Sequence, residues 1–200
     1  MHNPFEEHRM SQENTELQRR TVLQIAAGLT AVGTTALNAA GVAPAMAKPP
    51  APTGKPGDFD FLSGQWKIKN RQLKGGTWDT YDSEATVFGI LAGVASVEEL
   101  RIPARNFSGM GLRLLDLEKK LWADFWVNAK SGVLTPPPGW GSFVDGVGLW
   151  DSEDADNDKP LIVRGAWDQI TPNSCRWYQA TSRDGGKSWQ ENWVMHWTRA

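Results

Sequence analysis

The chain is short of the residues that most often carry chemistry. One cysteine, Cys175, among 200 residues excludes an internal disulfide. Of three histidines only His196 lies beyond residue 47. Zinc binding and Ser-His-Asp chemistry are disfavoured, because no second histidine is available as ligand or base. A surplus of one charge is missing too: 21 Lys and Arg face 23 Asp and Glu, for a net charge of −2. The first 47 residues hold three of the basic and four of the acidic groups, so the remainder carries 18 and 19, a net −1. A nucleic-acid or anionic-membrane surface needs a basic patch, and neither partner is expected. Beyond residue 47 no segment has a convincing helical period, and stable membrane insertion is not expected there.

Tryptophan is what the chain has in excess. All 11 lie beyond residue 47. Indoles bury large areas, so core packing is the plain explanation. So many are expected to leave some free to line a pocket for a flat or apolar molecule.

Residues 1–18 are polar and mixed in charge. Arg19-Arg20 opens a weakly apolar run to Val42 that contains Gly28, Gly33 and Gly41, and Ala45-Met46-Ala47 has the A-x-A form of a cleavage site. This resembles a twin-arginine signal peptide. The resemblance implies the twin-arginine export machinery and signal peptidase as partners and a periplasmic or secreted destination. The run is long enough to span a bilayer, but its Gly, Thr, Gln and Asn content makes it a poor anchor. The expected organisation is a signal peptide over 1–47, a Pro/Gly linker over 48–57 (K-P-P-A-P-T-G-K-P-G) and one domain over 58–200.

Within 58–200 short alternating segments recur between Gly, Pro, Asn and Asp turns. Phe59 to Leu62 suggests one short turn. Trp66, Ile68 and Asn70 then alternate with Lys67, Lys69 and Arg71, and Gly75-Gly76 turns the chain into a strand over 78–88. Strands are expected over 94–102, 109–117 and 121–128. In the last, Trp122, Asp124, Trp126 and Asn128 oppose Leu121, Ala123, Phe125 and Val127; apolar groups on both faces predict a strand covered on both sides. A loop stiffened by Pro136-Pro137-Pro138 suggests a lid. A hairpin about Asp145-Gly146 follows, then an acidic surface loop over 151–159 and strands over 161–168 and 174–182. In the last stretch Trp189, Glu191, Trp193, Met195, Trp197 and Arg199 fall on one side of a two-residue period. The pattern predicts an all-β fold, an antiparallel barrel of about 8–10 strands.

Several motifs sharpen this. Ser182-x-Asp184-x-Gly186-x-x-Trp189 matches the Asp-box hairpin of sialidase-like propellers, but occurs once and predicts only a stable turn. Asp154-x-Asp156-x-Asp158 opens like a calcium loop, yet Lys159 and Gly165 stand where Gly and Glu belong, so a solvated turn is expected and no metal site. Gly64-x-Trp66 in the first strand and Arg199 in the last resemble the lipocalin signature, in which the Trp plugs one barrel end and a late Arg stacks on it. F-D-F-L-S-G-Q-W, P-P-x-G-W-G-S-F-V-D-G-V-G and R-W-Y-Q-A-T-S-R-D-G-G-K-S-W-Q-E-N-W extend the similarity to a bacterial secreted family of lipocalin-like domains of unknown function. That resemblance implies a barrel and export, and brings no catalytic residue.

The expected activity is binding of a small hydrophobic or aromatic molecule. Trp126, Trp177 and Trp193 would stack on it, with Asn70, Asp124, Arg164 and Gln179 as polar contacts. An enzyme is the less favoured reading: a hydratase or isomerase with Asp124 as proton carrier. Asp124 could equally be a structural acid paired with Arg113 or Arg164. A small barrel with one late histidine is also similar to haem-binding nitrobindin. His196, however, alternates against Trp193, Met195 and Trp197, so it is expected to point outward, and no cofactor is predicted.

Overall fold

The computed structural model describes residues 47–134 and 136–200. Arg19, Arg20 and Ala45 of the expected signal lie outside the described residues. Ten antiparallel strands run β1 (Gly64–Lys74), β2 (Thr77–Ile90), β3 (Ala95–Ile102), β4 (Phe107–Asp116), β5 (Leu121–Asn128), β6 (Gly139–Val144), β7 (Val147–Asp156), β8 (Lys159–Asp168), β9 (Ser174–Ser182) and β10 (Gln190–Arg199). Each pairs with its sequence neighbours, and β1 also pairs with β10, so the sheet closes into a lipocalin-like barrel. Closure leaves no open edge along the sheet. No helix among the described residues is long and apolar enough to cross a membrane.

The short 3-10 turn Asp60–Leu62 enters one end. Phe59 sits at the centre of this end, with Trp122, Phe143, Trp150 and Trp167 around it at ring-centroid distances of 4.9, 5.1, 5.6 and 6.5 Å. Trp66 and Trp197 complete the floor, 6.0 Å apart. The predicted pairing of Trp66 with Arg199 is present. The Arg199 guanidinium lies 4.0 Å above the Trp66 ring. It donates to the carbonyls of Ser63 and Phe61, the latter at 2.7 Å. Trp66 Nε1 in turn donates to Leu62 O at 2.6 Å. Gly64 has φ +124°, and a Cβ there would meet Arg199 Nη1 at 2.5 Å.

The expected linker lies against the barrel, and three other expectations need correction. Gly54 N donates to Lys120 O at 2.8 Å, Thr53 Oγ1 to Phe143 O at 2.7 Å and Gly57 N to Gly93 O at 2.9 Å, so residues 51–57 are hydrogen-bonded to the barrel. The acidic segment 151–159 is not a loop but the β7–β8 hairpin. Asn157 and Asp158 take φ of 49° and 62°, the left-handed pair that a tight hairpin turn demands, and Asp156 is tied to Arg183 at 2.6 Å. Nor do Trp189, Glu191 and Trp193 share a face. A bulge between Glu191 and Trp193 reverses the alternation, sending Trp193 inward and leaving Trp189 outside under Arg164, 3.8 Å away. Lastly, β5 is not covered by a second layer among the described residues. Its outer residue Phe125 joins Leu112, Val97 and Phe88 in an apolar row across four strands, with Phe88 61% exposed.

Gly64→Ala adds strain at a positive φ and displaces the Arg199 head. It is expected to cost about 2 to 4 kcal/mol, read as a lower urea midpoint with an unchanged slope.

Candidate functional site

Above the aromatic floor the barrel is not filled. A hollow of about 150 Å³ remains, lined from β3 and β4 by Glu98, Leu100, Gly111 and Arg113 and from β5 by Asp124 and Trp126. Trp167 of β8, Trp177 and Gln179 of β9, and Trp193, Met195 and Trp197 of β10 line the other side. Alternation decides this membership. On β10, Trp193, Met195 and Trp197 face in while Val194 and His196 face out. On β4 the inward set is Gly109, Gly111, Arg113 and Leu115, and the more apolar Met110, Leu112 and Leu114 face outward. The reason is steric. A Cβ on Gly109 would overlap the Trp126 ring, so only a glycine face lets that indole lie against the wall.

Trp177 and Trp193 meet edge to face, 5.4 Å between centroids. Asn70 fixes the second of them: its Oδ1 accepts from Trp193 Nε1 at 3.1 Å, while its Nδ2 donates to Ser83 Oγ at 2.6 Å. Gln179 Nε2 donates to Asn192 Oδ1 at 3.1 Å.

Three charged groups from three neighbouring strands meet on one side of the hollow. Arg113 Nη2 donates to Glu98 Oε2 at 2.6 Å, and Arg113 Nε lies 3.6 Å from Asp124 Oδ1. Arg113 and Glu98 are buried, whereas the Asp124 side chain keeps 33% of its surface open, toward the hollow it lines. Burial pushes the Asp124 carboxyl up to about 6, with Arg113 pulling it down and Glu98 adding to the rise. Burial works against the Arg113 charge, and Glu98 and Asp124 more than offset it, holding its pKa above the ordinary value. Burial likewise raises the Cys175 thiol to about 12.

Of the residues expected to bind, Asp124, Trp126, Trp177, Gln179 and Trp193 line the hollow. Asn70 stands behind Trp193 as its hydrogen-bond partner. Arg164 is a correction. It lies on the outer face of β8, held by Asp151 through two hydrogen bonds of 2.7 Å and stacked on Trp189, because its parity is opposite to that of Trp167. Asp184 and Gly186 form the β9–β10 turn, where Asp184 Oδ1 accepts from the Lys187 and Ser188 amides at 3.0 and 2.9 Å. His196 is exposed on the outer wall and does not fit as an axial ligand to a haem held inside. Glu98 was missed by sequence reading. Its signal was its spacing of two residues from Leu100 and four from Ile102, which puts an acid on an inward face.

No family model and no curated protein matches the chain. Several solved structures are similar to this chain, two of them as follows. One is an S-type phycobiliprotein lyase from Guillardia theta, at 11% identity and TM-score 0.47, covering 71% of this chain and 90% of that one. The other is a protein of unknown function from the DUF3598 family of Nostoc punctiforme, at 12% identity and TM-score 0.43, covering 71% of this chain and 49% of that one.

Because the folded Asp124 pKa lies above its unfolded value of about 3.9, its stabilising contribution is complete below pH 4 or so and is lost as pH rises through about 6. Asp124→Asn is therefore expected to flatten the stability profile across that window and raise the denaturation midpoint at neutral pH. Removing Arg113 alone strands a buried Glu98 and is expected to cost about 3 to 5 kcal/mol, measured by the same denaturation.

Proposed function

We propose that this chain is an exported small-molecule-binding barrel, with the hollow above the aromatic floor as its site. One observation carries the reading. Five indoles, from Trp126, Trp167, Trp177, Trp193 and Trp197, bound an unfilled space that also holds a few convergent polar groups, the usual make-up of a ligand site. Indoles in a purely structural core close on one another, as they do around Phe59. Here Trp193 meets Trp177 edge to face and is also held by a hydrogen bond to Asn70, which keeps its ring in place beside empty volume. Export rests on Arg19-Arg20, the weakly apolar run and Ala45-Met46-Ala47. It would place the protein in the periplasm or outside the cell.

Binding is preferred over catalysis for a specific reason. Acid–base turnover of the hydratase or isomerase type needs a proton donor and an acceptor placed about the substrate. Glu98 is hydrogen-bonded to Arg113 at 2.6 Å, which leaves Asp124 as the one carboxyl lining the hollow without a hydrogen-bond partner among the described residues.

Native mass spectrometry of protein purified from the periplasm is expected to show a retained small molecule. Trp177→Ala or Trp193→Ala is expected to weaken its retention about tenfold, equivalent to about 1.4 kcal/mol. Finding no bound mass, together with no quenching of indole fluorescence by any member of an aromatic panel, would remove this reading.

A further inference from the structure

Three charged groups border the hollow, but only one presents its charge to it. The Arg113 guanidinium is buried over the rings of Phe59 and Trp167, 5.1 and 5.4 Å from their centroids. Glu98 is buried as well and hydrogen-bonded to Arg113. Asp124 differs: 33% of its side chain is open, and it lines the hollow without a hydrogen-bond partner among the described residues. Glu98 and an ionised Asp124 against Arg113 leave one net negative charge on this wall.

The opposite wall is aromatic. Trp177 and Trp193 stand at 87° to each other, so a guest seated in the corner they form meets both rings face on. Trp193 has its N–H committed to Asn70. Trp126 closes the third side, against Gly109. An indole face carries the negative end of the ring quadrupole and attracts cations more strongly than other aromatic faces do. Hydrogen-bond acceptors are scarce by comparison. With Glu98 committed to Arg113, the polar side chains left on the lining are Asp124 and Gln179. A primary ammonium brings three N–H donors, and burying them unpaired is costly. A quaternary ammonium brings none. The space is about 150 Å³, the volume that in an engineered cavity holds one benzene, and a trimethylammonium head has similar bulk.

We propose that the hollow takes a quaternary ammonium head, with its methyl groups against Trp126, Trp177 and Trp193 and the Asp124 carboxylate as its counter-ion. This rests on reading the hollow as a ligand site.

Binding then depends on pH through Asp124. The charged groups facing it are Arg113 from β4 and Glu98 from β3. Gly139, its partner on β6, carries no charge, nor do Gln179 of β9 and Met195 of β10 on the hollow's lining. The Cys175 thiol, pushed up to about 12, is neutral, and Arg113 stays charged. The cation favours the ionised carboxylate, which is half-formed near 6. Affinity is therefore full at about pH 8 and falls as pH drops through that value. At about pH 5 roughly one Asp124 in ten is ionised, so binding is roughly tenfold weaker.

The test is calorimetric titration of the purified full chain at about pH 8 and about pH 5, at one ionic strength, with choline, 3,3-dimethylbutan-1-ol and benzyl alcohol. The second probe has the shape of choline with carbon in place of the charged nitrogen. Choline is expected to bind at least about tenfold more tightly than this isostere at the higher pH and to weaken roughly tenfold at the lower. Asp124→Asn keeps the shape of the side chain and removes its charge. It is expected to lower choline affinity at least about tenfold at the higher pH, with the pH dependence gone. Either alcohol binding as tightly as choline, a choline affinity independent of pH, or full choline affinity in Asp124→Asn overturns the cation assignment and leaves the hollow a ligand site. Binding of none of the three probes overturns both.

Discussion

Arg199 is the residue on which the closed form depends. It stands at the end of the last strand and reaches the start of the first, stacking on Trp66 and donating to the carbonyls of Phe61 and Ser63. A barrel must join its two terminal strands across the whole length of the chain, and that closure costs entropy until late contacts repay it. The β1–β10 ladder from Trp66 opposite Arg199 to Gln72 opposite Trp193 supplies the pairing. The guanidinium adds hydrogen bonds to carbonyls that the entering turn leaves free. The same stack places Leu62 and Phe59 inside the barrel end, so one interaction sets both the seam and the floor.

The hollow follows from how that floor is filled. Phe59 gathers Trp122, Phe143, Trp150 and Trp167 into one aromatic layer, which leaves the opposite part of the barrel without an equivalent plug. There glycine meets indole, with Gly111 opposite Trp126 across β4 and β5. Trp126 lies against Gly109, and a side chain at that position would push the ring into the space it now borders. A buried ion pair such as Glu98–Arg113 is weak evidence for stability, because desolvation offsets most of its attraction.

The fold was largely legible in the chain. Alternation over Trp66 to Arg71, the Gly75-Gly76 and Asp145-Gly146 turns, and the Gly64-x-Trp66 and Arg199 pairing are local or nearly local features, and strand period is a property of consecutive residues. The site was legible only in part. Asp124, Trp126, Trp177, Gln179 and Trp193 fall on the inward faces of their strands, and all five line the hollow. Arg164 was misassigned although its own parity with Trp167 argued against it. Trp189 was misassigned because a one-residue bulge leaves no mark in the period. The acidic 151–159 segment read as a loop because its charge hid a turn formed by Asn157 and Asp158.

The sequence by itself determined the class of fold, the turns and the inward parity of most strands, since these depend on neighbours one to four residues apart. Tertiary structure alone decided that Glu98, Arg113 and Asp124 meet. They come from three strands, and only the register of β3 on β4 and of β4 on β5 sets Glu98 opposite Gly111 and Arg113 opposite Asp124. That register reflects the packing of whole faces, large indoles against glycines, and no local pattern encodes it.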